Sequence, residues 1–363
     1  VRVLVVNAGS SSLKLRLLGD HDEVERSADL VAATHAIDVD ELRNAISDWP
    51  APGVVGHRIV HGGAYFTSPV RVGPLVRSAL NDLTSLAPLH LPKSLAALDA
   101  VTRALPGVPV VACFDTAFHA TLPAEAATYA VPLAWRERYA IRRYGFHGLS
   151  HGYAARTAAQ LVGEPVDELR IVTCHLGAGA SLCAVKNGRS VDTTMGFTPL
   201  EGLVMATRSG SIDPGLLLWL EDHERLTPGE IADALEHRSG LLGLAGTADQ
   251  RVIEKQVALG DERAQLALDV YIHSLVSGIA AMTAATAGLD VLVFTGGVGE
   301  NSATVRALAA DRLGYLGVAV DHERNLHAVP DLDVSEQGAA VHTVVVTSRE
   351  DLEIAAGARS AMT

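Results

Sequence analysis

Several stretches of this sequence set charged and hydrogen-bonding side chains among glycines, the composition of a site that admits an anion closely. Arg58 lies on the β-branched run Val54–Val60, which the turn His61-Gly62-Gly63 closes. On rigid strand backbone an arginine is a bidentate anion clamp, and it is equally a surface cation with a solvated head. Asp115 directly follows the apolar run Val108–Phe114. An acid at the C-terminal end of an α/β strand sits where ligand chemistry collects, although a cap for the next turn uses the same residue. Arg142-Arg143-Tyr144-Gly145-Phe146-His147-Gly148 gathers basic, aromatic and glycine residues just before an apolar helix. His147 reads there either as a satisfied structural histidine or as a donor to a close ligand. Arg208 occupies a Gly/Ser-flanked loop that enters a helix, a favourable place for an anion.

Two small-residue hairpins frame these groups. Val3–Val6 reads as a buried strand, Asn7-Ala8-Gly9-Ser10-Ser11-Ser12-Leu13-Lys14 as a polar turn, and Leu13, Leu15 and Leu17 as the inward face of a second strand. The pattern returns at Arg170–Val185 around the turn His175-Leu176-Gly177-Ala178-Gly179-Ala180. Either hairpin alone is compatible with an ordinary tight turn. Two of them, each opening one half of the chain, predict a duplicated domain with phosphates held between the copies. A glycine-rich loop from Ser239 to Gly246 leads to Asp249-Gln250-Arg251 and a helix. Further on, the strand Val291–Thr295 runs into Gly296-Gly297-Val298-Gly299-Glu300-Asn301 and another helix, a nucleotide-binding order of elements. The spacing matches neither a dinucleotide fingerprint nor a P-loop.

The framework that positions these residues is predicted to be α/β. At 363 residues the chain exceeds the usual single core, and 48% hydrophobic with 20% charged residues describes a full globular interior. Helices are expected near 40–48, 74–86, 93–105, 152–161, 214–222, 228–237, 261–288 and 302–313, with a closing helix after Asp351. No other regular element is expected between Asp20 and Pro52. A net charge of −13 argues against non-specific nucleic-acid binding and against anionic membrane surfaces. Any anionic substrate must therefore be met by locally concentrated arginine or lysine. Cys113, Cys174 and Cys183 have no CxxC spacing and read as buried hydrophobes in a reducing compartment. No basic-then-apolar leader is expected before the first strand. The uncharged run from Ile272 to Leu289 is shorter than the roughly 20 apolar residues a span needs. A cytoplasmic protein is expected.

Taken together, NAGSSSLK (Asn7–Lys14), GHRIVHGG (Gly56–Gly63), LAPLH (Leu86–His90), FDTAFH (Phe114–His119), RYGFHG (Arg143–Gly148), HLGAGAS (His175–Ser181), TPLEG (Thr198–Gly202), TRSG (Thr207–Gly210), FTGGVGEN (Phe294–Asn301) and Glu350 resemble the acetate kinase family. The resemblance covers nearly the whole chain. It implies two duplicated RNase-H-like, actin-like ATPase domains with an interdomain cleft, residues 1–115 plus 352–363 and 116–351. It implies reversible transfer of the ATP γ-phosphoryl group to acetate, giving acetyl phosphate and ADP, with Mg2+ or Mn2+, in a homodimer. By the same resemblance Arg58, Asp115, His147 and Arg208 are catalytic. Arg58, Val60, Leu89, Phe146 and Pro199 bind the carboxylic acid, and Val60 leans towards acetate. Asn7, Ser10, Ser12, Lys14, His175, Gly177, Gly179, Asp249, Arg251, Gly297 and Asn301 contact the nucleotide. Asn7, Asp115 and Glu350 serve the metal.

Physical reasoning agrees with that cast, because a carboxylate needs no general base and asks only for alignment and charge neutralisation. Departures from the family pattern are Ala178 in place of an asparagine, Leu91 in place of another, Ser211 where aspartate is commoner, and a short segment between Leu18 and Val54. The alternatives are a propionate or butyrate kinase, told apart by turnover of longer acids, and a low-activity nucleotide-binding relative, motivated by Ala178.

Overall fold

Alternating apolar residues and short β-branched runs build two mixed sheets, each with its own covering helices. The structure, a computed structural model, describes residues 1–363 except 9–11, 32–37 and 88–90, and leaves the side chains of Val31 and Ser85 undescribed. Ser10 and Leu89, expected at the phosphates and at the acyl chain, lie outside the described residues. The chain divides into two compact units. Unit 1 holds Val1–Ala120, Phe146–Tyr153 and Arg349–Thr363, and unit 2 holds Thr121–Gly145 and Ala154–Ser348. This division differs from the expected one at 116–120, 146–153 and 349–351. One physical reason is that the Gly148 N–H donates to the Asp115 carbonyl, which ties the Phe146–Tyr153 segment to unit 1.

In unit 1, β1 (Val3–Ala8), β2 (Ser12–Leu18), β3 (Val24–Val31), β4 (Val54–Ile59), β5 (Val70–Arg71) and β6 (Val110–Phe114) form a sheet ordered β3-β2-β1-β4-β6-β5. In unit 2, β7 (Arg170–Leu176), β8 (Ala180–Lys186), β9 (Arg189–Thr193), β10 (Val291–Thr295), β11 (Leu332–Asp333) and β12 (His342–Val345) are ordered β11-β12-β10-β7-β8-β9. Read from the opposite end, the second order is the first. The directions match as well. In each sheet three strands meander antiparallel, two more join in parallel, and a two-residue strand closes the edge antiparallel. The predicted duplication therefore extends to the shortest strand.

β3 falls where no regular element is expected. Its Ala28 and Leu30 pack on the core, but Glu25, Arg26 and Asp29 occupy an edge strand and hide the period of two. The helix Glu262–Thr286 is close to expectation, with the Asp261 side chain accepting from the Ala264 N–H at one end and Ala287 left-handed at the other. By length and composition it could cross a membrane. Here Leu268, Ile272, Leu275 and Ile279 are buried, and the helix packs on β7, β8 and β9 as a core helix. The helix expected from Ser302 runs Ala303–Arg312, and a separate short helix, Gly296–Asn301, precedes it.

Each face of the unit 1 sheet has its own cover. Leu4, Val6, Leu13, Leu15, Val55 and Ile59 meet Leu91, Leu95 and Leu98 of the helix Leu91–Ala104. Val3, Val5, Val54, Val111 and Cys113 meet Ile354, Ala355 and Ala358 of the helix Glu350–Ser360. Glycine lets that second helix come close. A Cβ on Gly56 would lie 2.7 Å from Ile354 Cγ2, and one on Gly357 would lie 3.2 Å from Cys113 Sγ. This approach brings Glu350, the helix's first residue, to the sheet face on which Arg58 lies.

Candidate active site

The parallel strands β1, β4 and β6 end side by side, and a polar residue stands at each end. Val6 pairs with His57 and Arg58 with Cys113, so Asn7, Arg58 and Asp115 emerge at one edge of the unit 1 sheet. Arg58 Nε donates to Asp115 Oδ1 at 2.9 Å and Nη2 to Oδ2 at 2.5 Å, a bidentate pair. Its Nη1 donates to Asn7 Oδ1 at 3.1 Å, and Asn7 Nδ2 donates to Glu350 Oε2 at 3.0 Å. Glu350 Oε2 lies 3.8 Å from Arg58 Nε. The main chain of Arg58 is fixed too. Its carbonyl accepts from Ser94 Oγ at 2.8 Å and from His57 Nδ1 at 2.9 Å. Burial lowers the His57 pKa to about 4, so this ring is neutral at pH 7 and its proton sits on the nitrogen facing the carbonyl.

Asp115 and Glu350 both face the Arg58 guanidinium, Asp115 as a bidentate partner and Glu350 at 3.8 Å. Burial raises the Asp115 carboxyl to about 6, against the pull of Arg58 and with help from Glu350. Burial disfavours the charge on Arg58, but Asp115 and Glu350 more than offset this, and its pKa stands above the ordinary value.

His147 is brought to the same neighbourhood through the backbone. Its φ of 56° is left-handed, a conformation uncommon in a non-glycine residue. The next residue, Gly148, donates its N–H to the Asp115 carbonyl at 2.8 Å, and a Cβ there would lie 2.9 Å from Phe118 Cβ. His119 Nε2 bonds the Phe146 carbonyl at 2.9 Å, and the His61 ring meets Phe146 edge to face at 5.4 Å. Phe146 and Val60 are both buried. Ser12 is half-buried and Lys14 exposed on β2, where Lys14 pairs with Asn7.

In unit 2 the glycine loops meet one another. The Gly177 N–H donates to the Gly179 carbonyl at 2.9 Å, and a Cβ on Gly177 would come 4.0 Å from the Gly297 nitrogen. Gly296, with φ of 78°, lies against Leu176, and a Cβ would approach the Leu176 carbonyl oxygen to 2.7 Å. Gly297 has open space on its Cα, and Asn301 Nδ2 donates to its carbonyl at 2.8 Å. Glu300 Oε1 accepts from the N–H groups of Gly296 and Ser348. His175 stands opposite Thr295 at the end of β7. Asp249 caps the helix Gln250–Ala258 and takes both Nε and Nη2 of Arg251. The Arg251 bond holds its pKa down at about 2. Glu254 on that helix accepts from Ser302 Oγ at 2.6 Å, which ties it to the residue after Asn301.

Arg208 is half-buried, donates through Nη1 to the Pro199 carbonyl at 3.1 Å, and is held below its ordinary pKa by burial. Among the described residues no carboxylate forms an ion pair with it. The Glu236 charge acts on it at longer range, against the effect of burial. Ala178 is exposed, and its carbonyl accepts from the Ala206 N–H at 3.2 Å.

Sequence reasoning missed Ser94, His57, Glu254 and Glu300 as supports. Of these, Glu300 inside the glycine motif and His57 inside GHRIVHGG carried a signal.

Known proteins resemble this chain over its whole length. The family model described as the Acetokinase family matches residues 44–356. An acetate kinase of Methanosarcina acetivorans is 40% identical, over 98% of this chain and 95% of that protein. The crystal structure of Porphyromonas gingivalis acetate kinase superposes with a TM-score of 0.91 at 34% identity, covering 100% of each chain. A propionate kinase from Francisella tularensis subsp. tularensis SCHU S4 gives 0.91 at 32% identity, covering 99% of each.

The raised Asp115 carboxyl makes a stability prediction. The folded chain holds this proton more tightly than the unfolded chain. The group's stabilising contribution is therefore full below the ordinary 3.8 and is lost as pH rises through about 6. Urea unfolding of wild type and Asp115→Asn between pH 4 and 7 should show this component in the wild type alone. Parallel profiles would refute the raised carboxyl.

Proposed function

The chain belongs to the acetokinase family, and from that premise we propose a role for each side chain of the two sites. The protein is an acetate kinase, a phosphotransferase whose acceptor is a carboxylate and whose donor is ATP. Acetate is already ionised at pH 7, so the enzyme has no proton to remove. It must align the carboxylate in line with the γ-phosphorus and neutralise charge that spreads over the phosphoryl oxygens.

The observation that carries the assignment is the Arg58 guanidinium, anchored by Asp115 and Asn7. Of its five N–H donors three are engaged by these residues, which leaves two for an anion. Arg58 binds the carboxylate and the transferring phosphoryl group, and His147 donates to the phosphoryl oxygens. Val60 and Phe146 limit the length of the acyl tail, with a single methylene worth about 1–3 kcal/mol. In unit 2, Arg208 brings its charge to the same reaction and Pro199 keeps the substrate-binding role the resemblance gives it. His175, Gly177, Gly179, Asp249, Arg251, Gly297 and Asn301 hold the nucleotide. Asn7, Ser12 and Lys14 face its phosphates.

The family resemblance also implies Mg2+ or Mn2+. Asn7 Oδ1, Asp115 and Glu350 are hard oxygen donors, and they fit such an ion. Among the described residues no group of three or more His, Cys, Asp or Glu could hold a metal. That suits an ion which keeps waters and phosphate oxygens as its other ligands. When bound, the ion supplies further charge neutralisation at the phosphates. The chain's own contribution is to hold Asp115 against Arg58 and Glu350 within reach of Asn7.

We also assign the protein to the cytoplasm and to a homodimer. The helix Pro214–His223 buries none of its residues within the chain and exposes Leu216, Leu218 and Trp219. A second copy would cover that apolar face. Trp219→Glu should shift sedimentation from dimer to monomer, and an unchanged profile would place the interface elsewhere.

The direct assay is magnesium-dependent acyl phosphate formation from ATP, trapped with hydroxylamine, using acetate, propionate and butyrate. Signal should be highest with acetate and fall as the acid lengthens. Arg58→Ala should lower kcat by about 10²–10³ in a folded protein. Near wild-type turnover would remove Arg58 from the mechanism. Ala178→Asn should lower the KM for ATP by restoring an amide on the second turn. An unchanged KM would mean that backbone alone serves there.

A further inference from the structure

A hydrogen-bonded brace in unit 2 surrounds the loop that carries Pro199. Arg143 Nη1 donates to the carbonyls of Thr194 and Met195, each at 3.1 Å, and Nη2 donates to Glu201 Oε1 at 2.7 Å. The Tyr129 hydroxyl donates to Glu201 Oε2 and accepts from the Phe197 N–H at 3.0 Å. The Arg143 guanidinium also lies over the Tyr129 ring, 5.4 Å from its centre. Both ends of the 194–202 loop are thus bound to one arginine–carboxylate–phenol cluster. Gly196 has no room for a side chain, because a Cβ would run into the Glu201 carboxylate and the Tyr129 hydroxyl.

The far side of the loop is tied to the segment that bears Arg208. The Gly202 N–H donates to Ser211 Oγ at 3.1 Å, and the Ser211 N–H returns a bond to the Gly202 carbonyl at 2.9 Å. Ser211 stands where the family pattern more often has aspartate, so this chain makes the tie with a neutral side chain. Between these anchors the Pro199 carbonyl takes Arg208 Nη1. A neutral carbonyl can aim a guanidinium without cancelling its charge, which a carboxylate at the same place would do.

We propose that Tyr129, Arg143 and Glu201 are positioning residues that set the direction of the Arg208 guanidinium through the Pro199 carbonyl, and so govern the enzyme's affinity for its carboxylate substrate. The proposal rests on the reading of Arg208 given above. All three act through the 194–202 loop that they hold. Arg143 is suited to the task because its planar fork reaches three acceptors at once, which a lysine ammonium on a flexible stem does not.

Steady-state kinetics of Tyr129→Phe, Glu201→Gln, Arg143→Lys and Ser211→Ala test it, with acetate and ATP varied separately. The KM for acetate should rise about tenfold while the KM for ATP changes less than twofold, in proteins whose near-ultraviolet circular dichroism matches wild type. Ser211→Ala loosens the loop from its other end and leaves the arginine–carboxylate pair intact, so it reports even if a cluster variant fails to fold. In an Arg208→Ala background the same substitutions should have no further effect on acetate KM, since the group they aim is gone. Equal changes in both KM values, or full additivity with Arg208→Ala, would overturn the proposal and leave a purely structural brace. If Arg208→Ala itself keeps wild-type turnover, the role of Arg208 falls. If it loses turnover while the four variants keep wild-type acetate KM, only the positioning role falls.

Discussion

The ion pair of Arg58 and Asp115 is the constraint from which much of unit 1 follows. A guanidinium and a carboxylate taken out of water each lose several kcal/mol of hydration, and only a close, fully bonded geometry recovers it. Adjacent parallel strands supply that geometry, because their ends lie about 4.8 Å apart and point the same way. Almost everything around the pair maintains it. Gly56 and Gly357 admit the helix that presents Glu350, Ser94 and His57 hold the Arg58 main chain, and Gly148 seats the following helix against the Asp115 carbonyl. A pair that strongly braced is costly as a source of stability alone. In the role proposed above, it is a preorganised charge that need not reorient when a substrate arrives.

Unit 2 handles charge in a different manner. Its glycine turns offer backbone N–H groups and open space, its exposed Asp249–Arg251 pair stays in water, and Arg208 bonds a neutral carbonyl, with no ion pair to a carboxylate among the described residues. Equivalent strands in the two sheets therefore end in different chemistry. β1, β4 and β6 lead to an amide, a guanidinium and a carboxylate. β7, β10 and β12 lead to His175, Thr295 and Thr347. The same strand order was retained while the side chains at its ends diverged.

Much of this was legible in the sequence, and the part that was not has a common cause. The hairpins around Asn7 and Gly177, the strand ending at Asp115 and the long helix after Asp261 declare themselves through local period and turn residues. The family motifs then name the polar positions. Pairings between distant residues leave no such trace. Arg58 and Asp115 are 57 residues apart, and Tyr129 and Glu201 are 72 apart. Nothing local says which residue each will meet until the sheet or loop places it. β3 was missed for another reason, because an edge strand with one wet side carries charges that blur its alternation. The Gly296–Asn301 helix was missed because glycine disfavours helix and only its surroundings enforce one there.

The borders of the two sheets bear on how the protein behaves when crowded. On one side each sheet stops at a strand of only two residues, Val70–Arg71 or Leu332–Asp333. On the other side the outermost strands carry Glu25, Arg26 and Asp29, or Arg189 and Asp192. A border this short or this charged offers a poor template for a strand of another molecule, so edge-to-edge pairing of sheets into polymers finds no foothold. The two sheets thus meet other molecules through their covering helices rather than through open backbone at their borders.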